Sequence, residues 1–462
     1  MAIHMTNVRI RRPARGWLIT IGICLLPVLL WLRLYPPGDL FSGYFTTLTN
    51  LGKIAGLLAV TAYALNFIYA TRLRLLEDWF GGLNKLYVAH HLLGGLALIM
   101  MLLHPLLLSA ALAKDALPEA ARLLLPDGLL PLGALFDSAA DQHNMVRREW
   151  AILMGGLAFL GTIVLLVITF YAKVSFEFWL KSHRLLGVAF LLAGLHVALN
   201  ISDPQRSLPL KLFLLAIIAL GLAAFVYRTL LGNILIRRYR YRVKAVIPVG
   251  KITNVLLEPA AGRPLQHQPG QFLFIRFLDG DKLRHQWHPF SISSAPGEPA
   301  LRISVKALGD FTASLPGLRP GSPAEIEGAY GHFSYLRDAG RSQIWIAGGI
   351  GITPFLAMAG SLLGRRGYSI DLYHSVASAS ELLGSAYLGK LTHAPGNRFK
   401  YMPWISARQG LLSAQIIAGH SGVADKDIFI CGPPPMMKSL RRQFGALNVP
   451  KNRIRTEEFR ID

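Results

Sequence analysis

His90-His91-Leu92-Leu93-Gly94 lies early in an apolar stretch, residues 86–113, that carries no Asp, Glu, Lys or Arg and holds a further histidine, His104. His183-Arg184-Leu185-Leu186-Gly187 repeats the pattern just before a second such stretch, residues 185–202, and His196 follows within it. About 20 consecutive apolar residues cross the ~30 Å hydrocarbon core of a bilayer as one helix. Ionisable side chains in such a run are costly and are functional candidates by default. Four more charge-free runs lie around these two, at residues 17–32, 54–71, 150–172 and 212–227. The last is short, but residues 207–210 extend it and Lys211 can snorkel. Six membrane spans are expected. The first is not a cleaved signal, because Arg33-Leu34-Tyr35-Pro36-Pro37 follows it in place of a small-residue cleavage site.

Composition agrees. Of 462 residues, 52% are hydrophobic and 16% charged, against roughly 25% charged in soluble domains. A purely soluble enzyme and a disordered chain are both excluded. The net charge, 48 minus 26, is +22. Its distribution explains it. Arg9, Arg11, Arg12 and Arg15 precede the first span; Arg72 and Arg74 follow the second. Lys173, Lys181 and Arg184 lie between the fourth and fifth, and Arg237, Arg238, Arg240 and Arg242 follow the sixth. All fall on one side if the N-terminus is cytoplasmic. The partner implied is a lipid bilayer, in the plasma or inner membrane, with both termini cytoplasmic, and not nucleic acid. The two cysteines, Cys24 and Cys431, make neither a disulfide framework nor a metal site.

Neutral imidazole is a good haem ligand. His90 and His104 are fourteen residues apart, which is ~21 Å of helix and nearly four full turns, so they share a face. Two haems stacked across the membrane would fit that rise. His183 and His196 are thirteen apart and diverge on a straight helix, so a kink or π-bulge is expected there. His91 is a rival to His90; the shared histidine–x–Leu–Leu–Gly pattern favours His90.

Beyond residue 236 the texture is that of a soluble protein. Residues 241–257, 271–277 and 301–307 alternate apolar and polar, as strands of an antiparallel barrel do. From Ile344-Trp345-Ile346-Ala347 onward, strands alternate with helix-like segments, an α/β nucleotide fold. The expected domains are a six-helix transmembrane bundle, 1–236, an antiparallel β-barrel, 237–338, and an α/β domain, 339–462. Gly348-Gly349-Ile350-Gly351-Ile352-Thr353-Pro354 sits between a strand and a helix, where a helix N-terminus meets phosphate.

Residues 72–94, with Glu77, Gly82-Leu83-Asn84-Lys85-Leu86-Tyr87 and His90, resemble the ferric reductase transmembrane domain, shared by NADPH oxidases and ferric reductases. The resemblance implies two b-type haems, His90 with His183 on the inner and His104 with His196 on the outer. His288-Pro289-Phe290-Ser291, after Pro269-Gly270-Gln271-Phe272, resembles the flavin motif of the ferredoxin-reductase-type FAD domain. It implies Phe290 against the isoalloxazine, Ser291 near its N5, and the backbone of Gly309-Asp310-Phe311-Thr312 at the pyrophosphate. Cys431-Gly432-Pro433-Pro434 matches the second nicotinamide motif of the same family, which places Cys431 near the nicotinamide; a buried structural cysteine is the alternative. Phe459 stands where relatives place an aromatic over the flavin. Arg408 is the candidate for an NADPH 2′-phosphate, and NADH remains open.

The combined reading is an NAD(P)H oxidase or ferric-chelate reductase. Electrons would pass from cytoplasmic NAD(P)H through FAD and two haems to dioxygen or a ferric chelate outside. A haem-free, membrane-anchored flavin reductase and a histidine-lined ion conduit are the rivals. Lys53, expected at the outer end of the second span, is a candidate for holding the acceptor, against a plain anchoring role.

Overall fold

The computed structural model describes residues 12–124, 140–200, 203–279, 286–337, 340–393 and 395–458. It divides into two compact units, Met1–Ile236 and Arg237–Asp462.

Among the described residues of the first unit, six helices are long and apolar enough to cross a membrane: Arg15–Leu32, Tyr44–Ala70, Leu83–Ala113, Val146–Tyr171, Glu177–Leu199 and Leu208–Leu230. We call them spans one to six. Two ends differ from the sequence expectation. Span two begins at Tyr44, so Lys53 lies well inside the helix and not at its end. Its charge interrupts the apolar run, but the backbone continues because the ammonium is paired, as described below. Span six continues to Leu230 through a π-helical turn, Val226–Leu230.

Span two packs along span three, span four along span five, and span six against span two. Small residues set the closest approaches, as is usual between membrane helices. A Cβ at Gly52 would stand 3.0 Å from Leu108, and one at Gly221 would stand 2.8 Å from Phe190. The Tyr63 hydroxyl donates to the Leu186 carbonyl across spans two and five at 2.8 Å. Large side chains such as Ile99, Val164, Val188 and Leu220 remain on the outer surface of the bundle, where lipid would solvate them.

The second unit holds two sheets. Strands β1 (Tyr239–Val249), β2 (Ile252–Pro259), β3 (Phe272–Phe277), β4 (His288–Ser291), β5 (Leu301–Lys306) and β6 (Pro323–Tyr330) pair antiparallel in the order β4-β3-β6-β1-β2-β5. An Ile292–Ile303 bridge brings the two edges together and curls the sheet into a barrel. Alternate side chains fill it: Val243, Val255, Leu257, Leu273, Ile275, Phe277, Ile303 and Ile326 are all buried. Each such burial contributes roughly 1.5–3 kcal/mol against the entropy of ordering the chain. The stretch 241–257 proves to be a hairpin, because Gly250 takes a left-handed φ of 59° and turns the chain.

Strands β7 (Ser342–Gly348), β8 (Ser369–Val376), β9 (Arg398–Ile405), β10 (Asp427–Cys431) and β11 (Ile454–Glu457) form a wholly parallel sheet in the order β11-β10-β7-β8-β9. Its centre is buried on both faces, so β7 and β10 read as unbroken apolar runs. The chain winds from β7 to β8 and β9, then returns to β10 on the other side. The strand order therefore reverses between β7 and β10, and ligands of such sheets bind at the carboxyl ends of the strands there.

Candidate functional site

Among the described residues of the helical unit lie two cavities that each take one histidine from span three and one from span five. The larger, with about 1300 Å³ of empty space including its mouth, is lined by His104 and His196 together with Met101, Gly56, Gly155 and Lys53. His104 Nδ1 lies 2.8 Å from the Gly52 carbonyl, and His196 Nδ1 lies 2.7 Å from the Ala151 carbonyl. A carbonyl only accepts, so both Nδ1 atoms carry the proton and both Nε2 lone pairs are left bare. The close approach requires glycine opposite each ring. A Cβ at Gly56 would stand 2.8 Å from His104 Nδ1, and one at Gly155 would stand 2.7 Å from His196 Nδ1. The two rings have centroids 6.2 Å apart. Two imidazoles bound to one metal at ~2 Å per bond have centroids on the order of 6 Å apart. The donor set, tautomer and spacing fit an iron held from both sides.

The second cavity, about 520 Å³, is lined by His90 and His183 with Asn66, Arg184, Arg228 and Thr229. His90 Nδ1 meets the Asn66 carbonyl at 3.1 Å. His183 Nδ1 is buried without a hydrogen-bond partner, and its ring stacks on Trp179 at 5.2 Å. His91 is exposed and does not line this cavity. Of the kink or π-bulge expected in span five, the π-bulge is absent: Phe176–Leu199 is α-helical throughout. The thirteen-residue offset needs no correction, because the two rings face different neighbours. The larger cavity is completed by Ile152, Gly155 and Phe159 of span four, the smaller by Ala224, Phe225 and Arg228 of span six.

Lys53 is ion-paired. Its ammonium lies 2.8 Å from Asp203 Oδ2 and donates to the Tyr35 hydroxyl at 3.2 Å. Asp203 also accepts from Trp31 Nε1 at 2.6 Å and from the Tyr35 hydroxyl at 2.7 Å. Burial pushes the Asp203 carboxyl up, but the hydrogen bonds from Lys53, Tyr35 and Trp31 outweigh it and hold the group below its ordinary range. Sequence reasoning missed Asp203. The signal available was a lone acid in the turn between two spans.

In the barrel, β4 carries the flavin-type motif at a sheet edge. The His288 ring stacks on Phe311 with centroids 3.5 Å apart, and Phe290 lies nearly parallel to Phe311 at 6.2 Å. Burial pushes the His288 imidazole down to about 4, so the ring is neutral. Pro289 is half-buried and Ser291 buried. Phe311 points inward onto this stack, while Asp310 stays exposed. Thr312 Oγ1 accepts from the Leu308 and Gly309 N–H groups and so closes the turn over residues 308–312. Phe459 lies outside the described residues.

In the parallel sheet the two glycine motifs meet at the reversal point. Gly348, Gly349, Ile350, Gly351, Thr353 and Pro354 follow β7; Cys431, Gly432 and Pro433 end β10. A Cβ at Gly351 would lie 2.2 Å from the Cys431 carbonyl, and one at Gly348 would lie 2.6 Å from Met436 Sδ. The Cys431 side chain is fully buried in the core, and burial pushes its thiol up. Such a thiol is inert as a nucleophile at neutral pH; its carbonyl is what meets the glycine loop. Arg408 sits on a short helix, Ser406–Gln409, and the Ser406 hydroxyl donates to the Val376 carbonyl at 3.1 Å, which brings that helix to the end of β8.

Gly351→Val is expected to lower NAD(P)H oxidation with an artificial acceptor by more than about 100-fold, since its side chain must displace the backbone of β10. Steady-state assay at matched FAD content checks this; activity within fivefold of the parent sinks it.

Three family models match the chain: the ferric reductase like transmembrane component over residues 55–194, an FAD-binding domain over 250–322, and an oxidoreductase NAD-binding domain over 345–442. The chain is similar to the ferredoxin–NAD(+) reductase component of an alkene monooxygenase system of Xanthobacter autotrophicus, 32% identical over 48% of this chain and 69% of that one. It is 27% identical to a flavohemoprotein of Bordetella pertussis over 45% of this chain and 57% of that one. It is 28% identical to ferric reduction oxidase 7, chloroplastic, of Arabidopsis thaliana, over 47% of this chain and 30% of that one. The chain thus spans 69%, 57% and 30% of the lengths of these three curated relatives. Among solved structures, the FAD/NAD binding domain of a nitric oxide dioxygenase from Vibrio cholerae matches at 22% identity and a TM-score of 0.40, over 48% of this chain and 98% of that one.

Proposed function

We propose, for a chain that belongs to the family joining a ferric-reductase-like transmembrane domain to ferredoxin-reductase-type FAD and NAD-binding domains, that it oxidises cytoplasmic NAD(P)H and delivers the electrons to dioxygen or a ferric chelate on the opposite face of the membrane. The observation that carries this is the two histidine pairs, each lining one cavity, in one chain with a flavin-type barrel and a nucleotide-type sheet. When bound, FAD supplies the conversion of a hydride into single electrons, and two b-type haems conduct them singly.

The protein's part is binding and orientation. His104 and His196 would hold one iron and His90 and His183 the other; His90 is preferred to the exposed His91. Phe290 and His288 provide the flat wall for the flavin and Ser291 a hydroxyl at its edge. The backbone of the 309–312 turn would meet the pyrophosphate. The glycines of the 348–351 loop and Gly432 let the dinucleotide approach the backbone closely, where N–H groups favour phosphate. Arg408, at the end of β8, favours NADPH over NADH by pairing with a 2′-phosphate. The basic flanks of the spans support a reading with both termini in the cytoplasm of a plasma or inner membrane.

One optical measurement tests the whole reading. Purified membranes reduced with NADPH or NADH show the sharp bands of low-spin haem and bleached flavin. Flavin bleaching without haem bands leaves a membrane-anchored flavin reductase, and neither change leaves no redox protein at all.

The domain boundary has its own test. Residues 237–462 expressed alone bind FAD and reduce an artificial acceptor with NAD(P)H. A folded fragment that does neither with added FAD places the boundary or the flavin site wrongly.

A further inference from the structure

The glycine loop after β7 has a polar support beneath it that no motif announces. We infer that His374 and Tyr401 brace the Gly349–Ile350 peptide and are positioning residues for the pyrophosphate of NAD(P)H; this rests on the reading of the 348–351 loop as the dinucleotide site.

His374 is a polar exception in an apolar layer. Alternate residues of a strand share a face, so Ile370, Leu372 and His374 of β8 point the same way. The first two are fully buried in a cluster with Trp345, Ala347 and Phe355. His374 is buried as deeply, beside Ala347 of β7. A polar ring at such depth is tolerated when its nitrogens are satisfied. Here both are. Nε2 lies 3.2 Å from the Gly349 carbonyl, and Nδ1 lies 3.2 Å from the Tyr401 hydroxyl. Tyr401 reaches the ring from β9, where its register partner is Leu372, on the same face.

The partners fix the direction of both bonds. Burial pushes this imidazole down to about 4, so the ring is neutral, with one donor and one acceptor. A carbonyl accepts, so Nε2 carries the proton and donates to Gly349. Nδ1 is then bare and accepts from the Tyr401 hydroxyl. The two contacts form one relay, from tyrosine through histidine to the loop.

The relay ends on a peptide that faces the dinucleotide site. Gly349 is left-handed at φ 54°, with open space where a Cβ would stand, so no side chain of its own steadies it. The Gly349 C=O and the Ile350 N–H belong to one planar trans peptide and point in opposite directions. Drawing the carbonyl toward β8 therefore aims the N–H away from the core. The next carbonyl, that of Ile350, accepts from the Thr353 hydroxyl at 3.1 Å. With both carbonyls engaged on the protein side, the Ile350 N–H is presented at the carboxyl end of β7, where backbone N–H groups favour phosphate.

The experiment uses the purified full chain with a soluble dye as acceptor, at matched FAD content. Leucine suits the surrounding apolar layer, so His374→Leu removes the relay and keeps the packing. Its KM for NAD(P)H should rise about tenfold, as for a buried carbonyl left without its donor, with kcat within about twofold. The inhibition constant of ADP-ribose, which carries the pyrophosphate, should rise in parallel. His374→Gln can donate to the Gly349 carbonyl through its amide and should bring KM to within about threefold of the parent. Tyr401→Phe should raise KM about threefold by itself, because the ring loses the donor that holds its tautomer, and should add nothing once residue 374 is leucine, since the two act in series. A folded leucine variant with parental KM overturns the brace. So do equal losses in the leucine and glutamine variants, a raised KM beside an unchanged ADP-ribose constant, or additive effects of the two substitutions. If the leucine variant does not retain FAD, Tyr401→Phe decides, and a parental KM in it overturns the brace. Gly351→Val separates the brace from the loop reading. Parental activity there as well overturns both; lost activity there beside a parental KM in His374→Leu overturns the brace alone.

Discussion

His104→Leu, made together with Met101→Leu, is expected to bring the haem-to-FAD ratio of the purified full chain from two towards one and to abolish electron transfer across the membrane. The second substitution matters because Met101 lines the same cavity and a thioether can serve as a replacement ligand. The ligand pair is held by more than the two rings. The Gly52 and Ala151 carbonyls fix both tautomers, and such outer partners orient ligands nearly as decisively as the ligands themselves. Gly56→Val should therefore mimic the histidine loss in part, since its side chain enters the space of the His104 ring. Diaphorase activity with NAD(P)H and a soluble dye should persist at parental rates in all of these variants, because the flavin and nucleotide residues lie in the other unit. A ratio that stays near two in the double variant would falsify the assignment of His104.

The reach of the sequence can be judged from particular elements. Six apolar runs were legible because a bilayer demands length and apolarity that nothing else in the chain has. Their ends were not. A lysine breaks an apolar count, yet Lys53 does not break the helix, because Asp203 answers its charge from a turn far along the chain. No local pattern announces a partner at that distance. The barrel hairpin at Gly250 was hidden because two strands joined by a tight turn alternate as one. Strands β6 and β9 were silent: β6 contains Glu325, Glu327 and Gly328, and β9 ends in Pro403-Trp404-Ile405 at a sheet edge, where proline costs no ladder bond. The glycine motifs were legible as motifs. That they back onto one another, Gly351 against the Cys431 carbonyl, follows from the strand order β10-β7, which is a tertiary fact. The same holds for the brace at His374, a histidine that looks ordinary in sequence.

Lys53 and Asp203 give the last expected result, and the pair changes what a basic residue in this cavity means. An unpaired ammonium would attract an anionic acceptor by its full charge. Here Asp203 cancels most of that field, and the Tyr35 hydroxyl bridges the two. We therefore expect Asp203→Asn to act in two directions. It leaves Lys53 charged and part-buried without a counter-ion, which costs about 3 kcal/mol of stability, at the low end for a broken buried pair because Lys53 keeps some exposure. It also unmasks the cation, so the prereduced protein should be reoxidised faster by anionic ferric citrate, severalfold at low salt and less at high salt, with oxygen little changed. Lys53→Leu should lose less stability, because Arg206 at 3.9 Å, Tyr35 and Trp31 still face Asp203, and should be reoxidised more slowly by both acceptors. With both residues replaced, most of the stability returns, since neither charge is left alone, and the double-mutant cycle reads the coupling directly. The pH dependence has a definite sign. The Asp203 carboxyl is held below its ordinary range, so its contribution is present above that range and is lost as acid carries the pH down through the folded-state value. Stopped-flow reoxidation and thermal melts of the four proteins decide between roles. Wild-type reoxidation in Lys53→Leu with both acceptors, beside the stability loss, leaves the pair as a clasp between span two and the turn before span six and nothing more.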